Sequence, residues 1–311
     1  MAVSSNLRLR GAHRFAVATA ACTVFLLMAG ALVTSNDAAD SVPDWPLAYG
    51  KIIPPWIGGL RYEFAHRVVA GLVAVLTLVL AIWISRVEQR GWVRRLGWTA
   101  LGLVIAQALL GALRVLEGHP AVSATAHAIL AQIFFITVVS LALFTSAWWQ
   151  PETPRLQDSA TPHLRTLAAW TTVAIFVQLI LGAAFRHGAF GIAPHMFGAG
   201  VVLVMVILTG RVAKARFARI PAIRYSVVWL HATFGTQILL GGAAYWAIRA
   251  SRGDVQPGLT YVILSVAHVL VGALVLAASV VLTLVCRHLI RPAEALVRDS
   301  AAAAHSEAGT R

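Results

Sequence analysis

Eight apolar runs, each close to the length of about 20 residues that carries a helix across a hydrocarbon core of roughly 30 Å, constrain this chain more than any other feature. They lie near residues 14–34, 64–85, 96–116, 122–146, 166–185, 192–212, 225–248 and 259–286. Inside a bilayer every backbone N–H and C=O must be satisfied within the protein, so runs of this length read as helices. The rest of the composition agrees: of 311 residues 59% are hydrophobic and 12% are charged, and the mean hydropathy is +0.77, far from the balance of a water-soluble domain. The expected fold is therefore an all-α integral membrane protein of eight spans. Such a bundle has an interior, which gives buried polar side chains a place to face other than lipid.

A net charge of +13 raises the question of nucleic acid, and the placement of the charges answers it. Basic residues cluster at Arg8, Arg10 and Arg14, at Arg86, Arg90, Arg94 and Arg95, at Arg155 and Arg165, at Arg211, Lys214, Arg216, Arg219 and Arg224, and at Arg287, Arg291, Arg298 and Arg311. These groups fall in every second segment between spans and so share one side of the membrane. The positive-inside rule then puts both termini in the cytoplasm and leaves no nucleic-acid partner to explain. The first run follows a basic segment as a signal peptide would, but it is long for one and resembles the later helices, so it is read as a retained span. Cys22 and Cys286 are the two cysteines, both within spans, and offer no disulfide framework to the outer loops. The tail, with Ala301 to Ala304 followed by polar residues, reads as disordered.

An internal repeat organises the runs. Gln107-Ala-Leu-Leu-Gly-Ala112, Gln178-Leu-Ile-Leu-Gly-Ala183 and Gln237-Ile-Leu-Leu-Gly-Gly242 close the third, fifth and seventh spans, with a weaker echo at Leu27-Met-Ala-Gly-Ala31 on the first. Small residues of this kind let membrane helices approach closely, so the glycines read as packing residues. The span after each copy carries one histidine: His66, His127, His195 or His268. The unit is a hairpin repeated four times, and duplication predicts two pseudo-symmetric four-helix bundles. The expected domains are an N-terminal tail 1–13, halves 14–146 and 166–286, a cytoplasmic linker 147–165 and a cytoplasmic tail 287–311. By this symmetry His66 pairs with His127 and His195 with His268.

A single histidine in a membrane helix is commonly a hydrogen-bonding residue at a helix contact, but four in register toward the outer side point to ligands. His268 lies deeper than the others, roughly 13 Å into its run at 1.5 Å per residue. Its helix would have to extend outward, within Ala250 to Thr260, to match. His13, His163, His288 and His305 fall on the cytoplasmic side, His119 and His187 in outer loops, and His231 toward the cytoplasmic end of an odd span. All seven stand outside the set. Two imidazoles from facing helices supply both axial ligands of a haem, an economical choice in hydrocarbon, where a zinc ion would want further protein ligands. Arg67, Arg114, Arg186 and Arg249 stand near the outer ends, either to pair with haem propionates or to snorkel as interfacial anchors.

One carboxylate breaks the symmetry. Glu63 lies three residues before His66 and so shares its helix face, whereas the matching positions are Ala124, Ile192 and Ser265. A carboxylate there either accepts a proton or stabilises developing positive charge, or else is an interfacial glutamate paired with Arg61 or Arg67.

The long outer loop between the first two spans is rich in Pro, Trp and Gly: Ser41-Val-Pro-Asp-Trp-Pro-Leu-Ala-Tyr-Gly50, then Pro54-Pro-Trp56. The Pro-Asp-Trp-Pro run, the Glu63-Phe-Ala-His66-Arg67 that follows and four histidine-bearing even spans together resemble the haem A synthase family over about residues 14–286. The resemblance implies a cell-membrane oxidoreductase that converts the C8 methyl group of haem O to the formyl group of haem A by successive hydroxylations. On that pattern His66 and His127 mark the substrate haem site, Glu63 is the essential acid, and His195 and His268 hold haem b. It also implies an electron partner, and allows a haem O synthase as supplier and a homo-oligomeric state. Many members carry a cysteine pair flanking the Pro-Asp-Trp-Pro run; here Val42 and Ala48 stand in those places, and a second outer pair is absent too. The chemistry is then expected to rest on the haems and Glu63 alone. Two other readings compete: a di-haem b-type electron carrier using the same histidines, and a transporter with inverted repeats. The second fits less well, because the spans lack paired carboxylates or broken helices at their centres.

Overall fold

The computed structural model describes residues 2–39, 41–116, 121–149 and 156–291. The expected disordered tail with Arg298, Arg311 and His305, and also His119 and Arg155, lie outside the described residues.

Among the described residues there are eight helices, α1 (Ala2–Ser35), α2 (Leu60–Val87), α3 (Gly91–Leu116), α4 (Ala121–Phe144), α5 (Leu164–Arg186), α6 (Ala193–Phe217), α7 (Pro221–Ala250) and α8 (Leu259–Leu289). All eight are long and apolar enough to cross a membrane, and the chain is an eight-span membrane protein. Most helices outrun the apolar segments that announce them. The segment expected over 192–212 continues as α6 to Phe217, taking in Lys214 and Arg216. Hydropathy marks the hydrocarbon boundary, whereas the helix stops only where its capping and turn chemistry stop it. Pro221 opens α7, where a missing N–H costs nothing. Asp158 accepts a hydrogen bond from the first N–H of α5, Leu164, at 2.7 Å, and its other oxygen pairs with Arg216 at 2.9 Å.

Each hairpin packs on itself, α1 on α2, α3 on α4, α5 on α6 and α7 on α8. Contacts of α2 with α3 and α1 with α4 close the first four helices into one bundle, and contacts of α6 with α7 and α5 with α8 close the second. The bundles meet where α1 touches α8, α4 touches α5 and α4 touches α8. Exchanging α1 with α5 and α4 with α8 turns the first of these contacts into the second and the third into itself. The pseudo-twofold axis therefore runs between α4 and α8. Each bundle has its own core, with Leu80, Ile84, Val93 and Leu141 buried in the first and Leu164, Ile223, Leu230 and Leu282 in the second.

Several threonines inside the spans are satisfied locally. Thr19, Thr23 and Thr77 return their hydroxyls to the carbonyl four residues before, as a medium without water requires. Thr171 with Thr209 at 2.7 Å and Thr172 with Thr283 at 2.8 Å tie α5 to α6 and α8. At the same end, opposite the four histidines, Glu88 follows α2 and pairs with Arg90 at 2.6 Å, while Arg90 also donates to the Phe144 carbonyl. Burial works to raise the Glu88 carboxyl, but the Arg90 hydrogen bonds outweigh it and hold it below the usual glutamate value.

Candidate functional site

The repeated glycines do something different from what their motif suggests. What approaches each of them is an imidazole from the next helix, not a helix backbone. A Cβ added at Gly30 would meet His66 Cε1 at 3.1 Å, one at Gly111 would meet His127 Cε1 at 3.2 Å, one at Gly182 would meet His195 Cε1 at 2.9 Å, and one at Gly241 would meet His268 Cε1 at 3.0 Å. Every odd helix thus carries a notch into which the following histidine fits, so the expectation that these glycines serve backbone packing is corrected. The extra depth of His268 is met by both members of its hairpin, α7 running on from Gly241 to Ala250 and α8 beginning at Leu259. The added helix starts at Leu259, so little of the Ala250 to Thr260 segment is used.

The glutamine that opens each motif, to which the sequence assigned no task, holds the same histidine's helix. Gln107 Nε2 donates to the His127 carbonyl at 2.9 Å. Gln178 Nε2 reaches the His195 carbonyl at 2.8 Å and lies 3.0 Å from its Nδ1. Gln237 Nε2 approaches the His268 ring at 3.4 Å. In α1 the corresponding place holds Leu26, so the first hairpin lacks this side-chain tether, and the Leu26 backbone lies beside the His66 ring instead.

The histidines come together in pairs. His195 and His268 have ring centroids 6.3 Å apart and planes at 85°. His66 and His127 stand close enough to interact electrostatically. Nδ1 of His66, His127 and His268 is buried without a hydrogen-bond partner, a costly state that ligation or a polar contact would relieve. Among the described residues no group of three or more His, Cys, Asp or Glu side chains gathers to hold a metal ion. Pairs of imidazoles set in apolar notches fit a haem, whose porphyrin supplies the other ligands.

Glu63 is 5% exposed and forms an ion pair with Arg67, Nη2 to Oε1, at 2.7 Å. Its other oxygen, Oε2, is buried without a hydrogen-bond partner at ordinary geometry, with the Val42 backbone nearby. The choice between Arg61 and Arg67 is settled, since Arg61 turns away to the Tyr62 hydroxyl at 2.9 Å. Arg67 does more than neutralise Glu63. Its Nη1 donates to the carbonyls of Asp44 and Leu47, both at 2.9 Å, fastening the Pro-Asp-Trp-Pro loop to α2. The Asp44 carboxylate in turn receives the N–H groups of Tyr49 at 2.7 Å and Gly50 at 2.8 Å. The Gly50 bond above all holds its carboxyl below the usual aspartate value. Tyr49 and Gly50 both have left-handed backbone, φ 53 and 69, which lets the loop turn back so that Ala48 and Lys51 pair. Val42 and Ala48, standing where the resemblance would place cysteines, are buried against each other and Leu60. Apolar contact and the Arg67 clamp shape a loop that has no disulfide.

The other arginines separate by environment. Arg114 acts electrostatically on Glu63, His66 and His127, which puts it among the groups of the N-terminal half. Arg186 donates to the Ala31 carbonyl at 3.1 Å and to Ser35 Oγ at 2.8 Å, binding α5 to α1 across the two bundles while acting on His268. Arg249 is exposed. His187, read from sequence as a loop residue outside the set, is the C-cap of α5 and stands near both Arg114 and His127. Burial first, then Arg114 and Arg186, push its pKa down to about 4. A residue of the C-terminal half thus reaches the N-terminal site, and only proximity in the fold reveals it. His231 packs on Gly210 of α6 but is exposed and engages the Val227 carbonyl through Nδ1 at 2.8 Å, apart from either pair. A cavity of about 350 Å³ lined by Leu156, Gln157, Arg216, Arg219 and Ile220 lies at the opposite end of α6 from His195.

Residues 60–290 match the COX15-CtaA family, described as cytochrome oxidase assembly protein. Among curated proteins the chain is 33% identical over 182 residues to a heme A synthase of Lysinibacillus sphaericus, a match covering 56% of this chain and 57% of that protein. It is 27% identical over 254 residues to a heme A synthase of Symbiobacterium thermophilum, covering 72% and 82%. A heme A synthase of Alkalihalophilus pseudofirmus is 36% identical over 132 residues, covering 41% and 42%. The matched segment thus spans little more than half of the first relative's length and less than half of the third's. The family match runs through seven of the eight helices and both histidine pairs, and the chain belongs to the COX15-CtaA family of cytochrome oxidase assembly proteins, the haem A synthase family that its loop and histidine motifs resemble.

Proposed function

We propose that this chain is a haem A synthase that oxidises the C8 methyl group of haem O to a formyl group by successive hydroxylations. In this reading the half 14–146 binds the substrate between His66 and His127, and the half 166–286 binds haem b through His195 and His268. The positive-inside pattern supports cytoplasmic termini and sites facing the outer side of the cell membrane. One observation carries the reading: a carboxylate buried to 5% exposure, Glu63, stands in one half only, with Ile192 at its counterpart.

The protein's contribution is placement and electrostatics. The notches at Gly30, Gly111, Gly182 and Gly241 set the imidazoles, and the glutamines fix the height of three of them. Haem b, when bound between His195 and His268, supplies the redox chemistry. Arg67 holds Glu63 Oε1, leaving Oε2 to accept a proton or to face positive charge developing on the substrate carbon, an interaction strengthened by exclusion of water. The loop packed through Val42, Ala48 and Leu60 provides that exclusion at the end of α2. Arg114 among the N-terminal groups and Arg186 beside His268 are suited to propionates; Arg67 is committed to the loop and Glu63. An electron partner and a haem O synthase complete the proposed setting.

The Glu63–Arg67 ion pair favours a second reading, a di-haem electron carrier in which the carboxylate only anchors the loop. Chromatography of haems extracted from cells that supply haem O separates the two. Haem A or its hydroxylated precursor, appearing only when this chain is expressed, supports the enzyme, and haem O and haem b without either product support the carrier.

A further inference from the structure

The loop that Arg67 fastens also carries an apolar tip that no part of the described chain covers. Ile52, Ile53, Trp56 and Ile57 are 81%, 78%, 63% and 66% exposed, a run that a water-facing loop would not sustain without a partner. The surface it continues is known. Trp56 meets Phe64 on the first turns of α2 edge to face, with ring centroids 6.2 Å apart at 86°. At helical spacing below Phe64 follow Val68, Leu72, Val75 and Val79, exposed by 54%, 53%, 59% and 41%. On a membrane-spanning helix that stripe faces acyl chains, and Trp56 extends it past the helix end to the level where tryptophan is favoured, the headgroup boundary.

We propose that residues 52–57 are seated in the bilayer interface, as a lipid-contacting anchor of the 41–59 loop. The occupant of the exposed tip is the lipid surface itself, since the tip adjoins the lipid-facing stripe of α2 and lies between two spans, α1 ending at Ser35 and α2 beginning at Leu60. Lys51, exposed beside the tip, suits lipid phosphates at that depth. Because Arg67 joins this loop to Glu63, the anchor couples the position of the membrane surface to the carboxylate.

The test uses the full chain with Cys22→Ser and Cys286→Ala, reconstituted in vesicles of phosphatidylethanolamine and phosphatidylglycerol. A nitroxide is attached in turn to Ile52→Cys, Ile53→Cys, Trp56→Cys and Ile57→Cys, with Asp254→Cys in the α7–α8 loop as aqueous reference. Collision with dissolved oxygen should exceed collision with a water-soluble nickel chelate several-fold at two or more of the four tip positions, and the order should reverse at 254. Nickel access equal to that at 254 at all four positions would place the tip in water and overturn the proposal. Low access to both reagents would overturn it as well, by showing that protein, such as a second copy of the chain, covers the tip. Four separate positions keep the pattern readable if one labelled variant fails to fold.

Discussion

The imidazole of His195 lies so close to Gly182 that a single added methyl group would meet its Cε1 at 2.9 Å. Three further glycine–histidine pairs repeat the arrangement, so each hairpin carries one notch and one ring, and the two bundles each present a pair of rings.

Gly182→Ala should therefore displace the His195 ring. Overpacking of a filled site costs about 1–3 kcal/mol, enough to weaken haem retention roughly tenfold while leaving the helical content unchanged. The low-spin b-type absorption of the purified protein checks this. His195→Ala and His268→Ala should abolish that spectrum, and His231→Ala, whose ring is exposed and bound to its own helix, should leave it intact. A colourless wild-type preparation after haem supplementation would remove the basis for both functional readings.

Arg67→Ala should release the loop and unpair Glu63 together. It removes hydrogen bonds to Asp44, Leu47 and Glu63, and bonds to charged groups are worth about 1.5–3 kcal/mol each. Arg67→Lys keeps the charge but not the forked geometry. Limited proteolysis between residues 41 and 59 should speed up in both variants, more in the alanine, with the b-type spectrum of the C-terminal pair unchanged. Equal cleavage rates in wild type and Arg67→Ala would show that the clamp does not hold the loop.

His187 predicts a pH dependence of stability. Its folded pKa is lowered from 6.5 to about 4, so above pH 6.5 it is neutral in both states and carries no penalty. As pH falls through that window the unfolded chain takes up a proton before the folded one, and stability declines. Thermal unfolding of the detergent-solubilised protein should show a loss between pH 6.5 and 4 that is smaller in His187→Gln. Parallel curves for the two proteins would contradict the assignment.

The eight spans, the repeat and the four histidines were legible in the sequence because each rests on composition or spacing, which the chain displays directly. The partners of those residues were not. Gly182 reads the same whether a backbone or an imidazole approaches it, and Gln178 gives no sign that its amide will reach the carbonyl of His195 on another helix. Arg67 was legible as a charge near Glu63, but its bonds to the carbonyls of Asp44 and Leu47 depend on the turn at Tyr49 and Gly50. His187 is a turn residue just after the fifth span, as its position in the sequence indicates, but its neighbours Arg114 and His127 belong to the other half of the chain, and closeness across the pseudo-twofold leaves no local pattern. Val42 and Ala48 read only as missing cysteines, whereas the fold shows them buried against Leu60.

The central claim is that Glu63 takes part in oxidation of the substrate rather than only holding Arg67. The most direct measurement is the haem content of cells that supply haem O and express either the wild type or Glu63→Gln, an amide that keeps the size of the side chain and can still accept the Arg67 hydrogen bond. The account predicts that Glu63→Gln retains the b-type spectrum and loses most haem A, by about 10²-fold or more for a group acting in proton transfer. Haem A at the wild-type level in Glu63→Gln would contradict it and leave the di-haem carrier, or another catalytic group, as the better reading.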